Sequence, residues 1–225
     1  MSDKVLPALA AGLDEREPRV LAMCMSSLYC FVENVDETDL MEFADTYMRK
    51  CAAIMKVSGV HRVVMEEALT SIAAIAGVMD KNFTIYYDEV MPVIKEVVKH
   101  CGGEKEKRLR GKAFECMSVL GLAVGKKRFM PDAIQCLDAI FSICQTATDD
   151  GNERGYLTDA IERIVSTLKE DFAQFLPSLL PQMLQACKIP QEEDNRPPQD
   201  DEDDDDIIRL IKGKRIRIRS SEFDD

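Results

Sequence analysis

The residues most suited to chemistry in this chain are its eight cysteines and two histidines, because thiolates and imidazoles serve as nucleophiles and metal ligands. No two cysteines form a CxxC pair, and neither His61 nor His100 lies near a cysteine group with metal-binding spacing. We therefore expect no metal site and no cofactor, and reduced thiols that mostly fill a core inside the cell. The cysteines are Cys24, Cys30, Cys51, Cys101, Cys116, Cys136, Cys144 and Cys187.

A glycine-containing segment, Gly121–Lys127, resembles a phosphate-binding loop but lacks that loop's defining features. Three residues rather than four separate its glycines, no Ser or Thr follows the lysine, and no strand pattern precedes it. Carboxylates are numerous, yet nothing in their spacing fixes two of them across a cleft for acid–base catalysis. The sequence therefore indicates a protein that is not an enzyme.

The charge balance favours a partner rich in Lys and Arg. The chain carries a net charge of −12, with −7 in residues 1–187 and −5 in residues 188–225. Nucleic-acid binding requires basic side chains to neutralise phosphates, so direct binding to nucleic acid is not expected. No apolar run approaches the roughly 18 residues that span a bilayer, so no membrane partner is expected either.

The element that must position any binding residue is a helical repeat of 45 to 47 residues. Its units begin at Ala22, Ala68, Ala113 and Ala160, which are 46, 45 and 47 residues apart. A period of about 40 to 47 residues with two helices per unit is typical of HEAT and armadillo arrays, which bind partners along extended surfaces. We predict an all-α HEAT solenoid of about four and a half helix pairs over residues 1–187.

Apolar periodicity and turn residues set the predicted helix boundaries. Leu69, Ile72, Ala73 and Ala76 fall at i, i+3, i+4 and i+7, which predicts one buried stripe. Neither end supplies a polar capping repeat, so we expect the chain to be a segment of a longer solenoid. The predicted helices are 17–33, 38–57, 60–79, 83–101, 105–124, 129–146, 154–169 and 171–187, preceded by one that contains Val5–Leu9.

The last 38 residues differ in character from the repeats. Residues 188–206 are polar and end in seven consecutive acids, Asp200–Asp206, which predicts a disordered acidic insert. In residues 207–225, Ile216 and Ile218 alternate with arginines, as in a strand. This basic segment is predicted to form a small hairpin that turns at Lys212–Gly213.

Two segments resemble the central HEAT repeats of the importin-β superfamily of nuclear transport receptors. Phe83–Pro92 reads FTIYYDEVMP, and residues 110–133 read RGKAFECMSVLGLAVGKKRFMPDA. The resemblance covers roughly residues 5–187, and the acidic run resembles the insertion found in the middle of those receptors. It implies binding of cargo with lysine-rich nuclear localisation signals, release by Ran-GTP, contact with nucleoporins, and shuttling between cytoplasm and nucleus.

The same resemblance places the second helix of each pair on a concave, cargo-facing surface. Acids off the buried stripe of those helices are then candidates to bind cargo lysines through charge-assisted hydrogen bonds. These candidates are Glu66, Glu115, Asp159 and Glu162. The alternative is a HEAT scaffold subunit of an assembly such as a phosphatase, because the bare repeat pattern does not distinguish the two.

Overall fold

The computed structural model describes residues 2–57, 59–146, 151–177, 180–181, 207–211 and 214–218. Met1–Gln174 forms one compact unit and Phe175–Asp225 a second. The first unit is helical, with α1 Ser2–Gly12, α2 Pro18–Val32, α3 Glu37–Met55, α4 Arg62–Met79, α5 Thr84–His100, α6 Lys107–Val124, α7 Lys126–Thr146 and α8 Gly151–Leu168. The predicted helical array is therefore confirmed.

The helices pack in consecutive pairs, and the second helix of each pair stacks on the second helix of the next. Helix α2 packs on α4, α4 on α6, and α6 on α8, while α1, α3 and α5 follow one another in the other layer. Buried polar groups link equivalent helices of successive pairs. Ser71 Oγ donates to the Met25 carbonyl at 3.0 Å, and Tyr47 Oη donates to the Leu6 carbonyl at 2.6 Å. This two-layer arrangement is that of a HEAT solenoid.

Turn residues end and restart the helices close to the predicted breaks. Gly59 adopts a φ of 77° between α3 and α4, and His61 caps α4 by accepting a hydrogen bond from the Val63 amide at 3.3 Å. Gly125, at a φ of 79°, separates α6 from α7. The segment that resembles a phosphate-binding loop is thus a tight corner between two helices, where the ring of Phe129 packs against Gly121.

The buried stripe of α4 differs from its prediction at one residue. Leu69, Ile72 and Ala76 are fully buried, whereas Ala73 is only half-buried and faces a groove on the second-helix layer. Further residues of α4, Ile75 among them, are buried in addition. The predicted stripe is therefore correct in register but wrong in width, because α4 also packs against α2 and α6 on its two sides.

The chain beyond α8 departs from a simple fifth pair. Lys169 takes a φ of 53°, which ends α8, and a 3-10 helix spans Lys169–Phe175 where an α-helix is predicted to begin.

Strands β1 Ile207–Ile211 and β2 Lys214–Ile218 pair antiparallel, with Ile207 opposite Ile218. The predicted strand pairing is present. The predicted acidic insert, most of the helix over 171–187 and the turn at 212–213 lie outside the described residues.

Glu66 forms a buried ion-pair cluster between α4 and α6. It is 2 % exposed, and its two carboxylate oxygens lie 3.2 Å from Arg62 Nε and 3.1 Å from Arg108 Nε. A buried carboxylate is costly unless opposite charges compensate it, so the two guanidinium groups explain how this acid is tolerated. Arg62 also donates to the Lys105 carbonyl, which fixes α4 to the turn before α6.

We expect Glu66→Ala to lower the free energy of unfolding by about 1–3 kcal/mol, because it leaves two arginines without their shared partner. Both arginine side chains are about half exposed, so water offsets part of the full cost of breaking a buried pair. Urea denaturation measures the change. Glu67→Ala is the matched control and is expected to change stability by less than about 0.5 kcal/mol. Equal effects of the two variants would contradict this assignment.

Buried thiols occur in successive pairs of the array, as predicted for cysteines that act as core residues. Cys51, Cys116 and Cys136 are at most 1 % exposed. Burial raises the pKa of the Cys51 thiol to about 12 and that of Cys136 to about 12. Cys30 is exposed on α2. The Cys51 and Cys136 thiols therefore stay protonated in the folded chain at pH values where they ionise once the chain unfolds.

A raised thiol pKa contributes stability that is complete below the unfolded pKa and is lost as the pH rises through the folded one. We expect the free energy of unfolding to fall between about pH 9 and 12, by about 1.4 kcal/mol per pH unit for each such thiol. Cys51→Ala should remove one thiol's share of that slope relative to the unsubstituted chain. Urea denaturation at pH 8, 9.5 and 10.5 compares the two proteins. An unchanged slope in Cys51→Ala would disprove the assignment.

Candidate binding groove

A groove of about 640 Å³ crosses the layer of second helices. Its walls and floor come from α2, α4, α6 and α8 and from Glu33, which follows α2. Small and apolar residues of α4 and α6 form much of its surface, and acidic, basic and tyrosine side chains stand among them. The lining residues are Ser26, Tyr29, Glu33, Glu67, Thr70, Ala73, Ala74, Gly77, Val78, Lys112, Glu115, Val119 and Tyr156.

Two positions of the repeat supply the polar side chains that α4 and α6 contribute to the groove. One directly precedes the repeated alanine of the second helix, which we call the anchoring alanine (Ala68 in α4 and Ala113 in α6), and holds Glu67 and Lys112. The other follows that alanine by two residues and holds Thr70 and Glu115. Residues three apart share one face of a helix, so each helix presents this pair of side chains together. The repeat therefore places the side chains at these two positions of successive helices along one groove.

Glu115 is the predicted acid that lies within the groove. Its side chain is 28 % exposed, and Arg163 Nη2 of α8 lies 3.9 Å from its Oε1. That contact is at the limit of an ion pair, so Arg163 compensates the carboxylate only weakly. Burial and then Glu115 raise the pKa of the neighbouring Tyr156 phenol, and this tyrosine stays neutral at physiological pH. Glu115 is thus a half-buried carboxylate with room for another cation.

The structure places Glu66 away from the groove and its neighbour Glu67 within it. Glu66 is buried against Arg62 and Arg108, so its oxygens contact the protein's own cations. Glu67 is half-buried and lines the groove. The two acids are adjacent in sequence, and only the rotation of α4 decides which of them faces outward. Sequence reasoning therefore missed Glu67, although it occupies the same repeat position as Asp159.

Asp159 and Glu162 occupy the two groove positions of α8 but lie beyond the described groove lining. Both are exposed, and the described part of the chain offers neither an ion pair. They extend the row of acids by one helix past Glu115. The structure thus brings Glu115 into the groove, leaves these two acids on the same helix layer, and buries Glu66.

A lysine stands in the middle of this row. Thr70 Oγ1 donates its single proton to the Glu66 carbonyl at 3.0 Å, so the hydroxyl oxygen accepts from Lys112 Nζ at 2.6 Å. Within the described residues Lys112 forms no ion pair, although Glu67 and Glu115 line the same groove. The groove therefore carries one fixed positive charge among its carboxylates.

Tyrosines and a glycine shape the two ends of the groove. Tyr29 of α2 lies at one end, where a hydrogen bond to Glu33 raises the pKa of its phenol. Tyr156 of α8 lies at the other end, packed so closely on α6 that a Cβ at Gly111 would lie 2.7 Å from its ring. Gly111 therefore permits the close approach of α8 that closes this end.

The described residues offer no cluster of three or more His, Cys, Asp or Glu side chains arranged to hold a metal ion. Among the same residues, no helix has the length and apolar character required to cross a membrane. The groove is a surface of carboxylates, phenols and small side chains with one lysine among them. Its carboxylates can accept charge-assisted hydrogen bonds.

Comparison with known proteins identifies relatives of the whole chain, although no family profile matches it. The chain is 30 % identical to importin subunit beta-3 of Saccharomyces cerevisiae over 230 residues, which cover 99 % of this chain and 21 % of the relative. It is 26 % identical to a probable importin-5 homologue of Dictyostelium discoideum over 71 % of this chain and 15 % of the relative. The chain thus spans about one fifth of the length of importin subunit beta-3.

The solved structure of Kap121p bound to Pho4p has the same fold, with a TM-score of 0.73 and 28 % identity over 99 % of this chain and 21 % of Kap121p. That alignment spans the helix pairs that form the groove, and it confirms the HEAT architecture predicted from the repeat period. The sequence identity extends along almost the entire chain, in agreement with the resemblance of residues 83–92 and 110–133. The chain belongs to the importin-β family.

Proposed function

We propose that this chain is a cargo-binding stretch of a nuclear import receptor, and that its groove holds an extended segment rich in lysine. The observation that carries the proposal is the placement of two carboxylates from neighbouring second helices, Glu67 and Glu115, in one half-buried groove. Ammonium groups of a ligand would bind there through charge-assisted hydrogen bonds. Asp159 and Glu162 would extend the contact along α8.

The electrostatics of the chain support a basic ligand. Exposed ion pairs contribute only about 0–1 kcal/mol each, so useful affinity requires several carboxylates acting together. A row of acids repeated from helix to helix meets that requirement, because an extended peptide passes each helix in turn. The net charge of −12 also attracts a cationic partner before contact and accelerates its association.

The relatives support the transport role of the whole protein. Kap121p has been solved in complex with Pho4p, and the related proteins are importins. By analogy, cargo carrying a nuclear localisation signal would bind in the cytoplasm and dissociate on Ran-GTP binding in the nucleus. Contacts with nucleoporins would accompany the shuttling of the full-length receptor between the two compartments. Each of these steps is proposed for a receptor of the relatives' length, of which this chain spans about one fifth.

The scaffold alternative makes a different prediction for the same surface. A scaffold subunit of a larger assembly can bind its partner through largely apolar contacts, whose affinity changes little with salt. Lysine-rich cargo in a carboxylate groove should bind with an affinity that falls steeply as salt rises. The groove of the described residues favours the second behaviour, because carboxylates of two helices line it.

We expect Glu115→Lys to weaken binding of a labelled lysine-rich peptide about tenfold or more, because it replaces attraction by repulsion at one contact. Fluorescence anisotropy at low and physiological salt measures the dissociation constant. Glu42→Lys, an exposed acid on α3, is the matched control with the same change of net charge, and we expect it to weaken binding less than about twofold.

Circular dichroism should show both variants folded, since Glu115 is only partly buried. Equal weakening by the two variants would reduce the effect to net charge and remove Glu115 from the proposed site. Saturable binding that is insensitive to salt would favour the scaffold alternative instead.

A further inference from the structure

Lys112 lines the groove at a repeat position that holds an acid in the second helix before it and in the second helix after it. The residue that precedes the anchoring alanine is Glu67 in α4, Lys112 in α6 and Asp159 in α8. Helices α4, α6 and α8 stack in that order, so the lysine occupies the central place of the row. An unmixed row of carboxylates would attract any polycation, and this one carries a positive charge at its centre.

The ammonium of Lys112 is held at the groove rather than extended into solvent. Its Nζ donates to Thr70 Oγ1 at 2.6 Å, and that hydroxyl is itself fixed by donation to the Glu66 carbonyl at 3.0 Å. The side chain is half-buried and forms no ion pair among the described residues, so its charge acts on whatever occupies the groove. Two of its three N–H donors remain for a ligand acceptor.

Arg163 does not present an uncompensated positive charge to a ligand as Lys112 does. Its Nη2 lies 3.9 Å from Glu115 and so partly compensates that carboxylate, whereas Lys112 has no carboxylate within ion-pair distance in the described structure. Lys112 is therefore the groove cation whose charge is directed at a ligand. A ligand lysine passing it is repelled, and a ligand carboxylate or carbonyl passing it is attracted.

We propose that Lys112 determines the specificity of the groove by selecting basic segments that are interrupted by an acidic residue, and by disfavouring unbroken runs of lysine. This inference rests on the proposed cargo-binding function and deepens it. Glu67 and Glu115 bind lysines of the ligand, and Lys112 binds the acidic side chain that interrupts them. Discrimination between related ligands commonly uses repulsion of this kind as well as attraction.

The test uses two labelled peptides of equal length, both flanked by Gly-Ser segments. One contains five consecutive lysines, and the other contains Lys-Lys-Glu-Lys-Lys. Two unit charges about 4 Å apart in water interact by an energy equivalent to about fivefold in affinity. We expect Lys112→Gln in the 225-residue chain to tighten the five-lysine peptide about fivefold and to weaken the glutamate-containing peptide about fivefold.

Lys127→Gln is the matched control, because Lys127 is exposed on α7 and the substitution changes net charge equally. We expect it to shift both peptides in the same direction by less than about twofold. Glutamine retains an N–H donor for Thr70, and an unchanged melting temperature would show that any effect of Lys112→Gln is not structural.

Opposite shifts for the two peptides support the inference, and parallel or absent shifts overturn it. Failure of the proposed function is distinguishable from failure of this inference. If neither peptide binds the wild-type chain or the variant, the cargo-binding proposal and this inference both fail. If both peptides bind and Lys112→Gln does not change their ratio, only the specificity role of Lys112 fails.

Discussion

The stacking of each second helix on the next is the contact on which the rest of this structure depends. The anchoring alanines Ala68, Ala113 and Ala160 are fully buried, so the backbones of α4, α6 and α8 approach closely. A larger side chain at such a position would separate the helices or displace their neighbours, because protein cores have little free volume. This close packing fixes the spacing of the helices, and hence the spacing of every side chain that faces the groove.

The packing constrains the buried face strongly and the groove face weakly. Leu69, Ile72 and Ala76 are set by the need to fill the core, whereas the groove positions accept Glu, Lys, Thr or Asp without altering the fold. The array therefore separates stability from recognition. Gly111 affects both helix packing and the groove, because its missing side chain allows Tyr156 to pack on α6 and close one end of the groove.

The repeat period was enough to predict the helices of the first unit to within a few residues, because apolar spacing and turn glycines determine them locally. It was not enough to predict which of Glu66 and Glu67 faces the groove. That choice depends on the rotation of α4 between two neighbours, and on Arg62 and Arg108, which come together with Glu66 only after folding. The role proposed for Lys112 was not predicted either, because the expected contacts to a basic ligand are made by acids and not by a lysine at an equivalent position.

A groove lined only by carboxylates would bind basic segments with little discrimination, since long-range attraction depends on total charge more than on order. A row of mixed charges can discriminate between basic segments, because the order of charges along α4, α6 and α8 can be matched by a complementary order of charges in a ligand. The repeat makes such a code possible: each helix contributes equivalent positions at a fixed spacing, and each position varies without cost to the core. Specificity in this array then resides in the order of its groove charges, and the helical packing serves to hold that order in register.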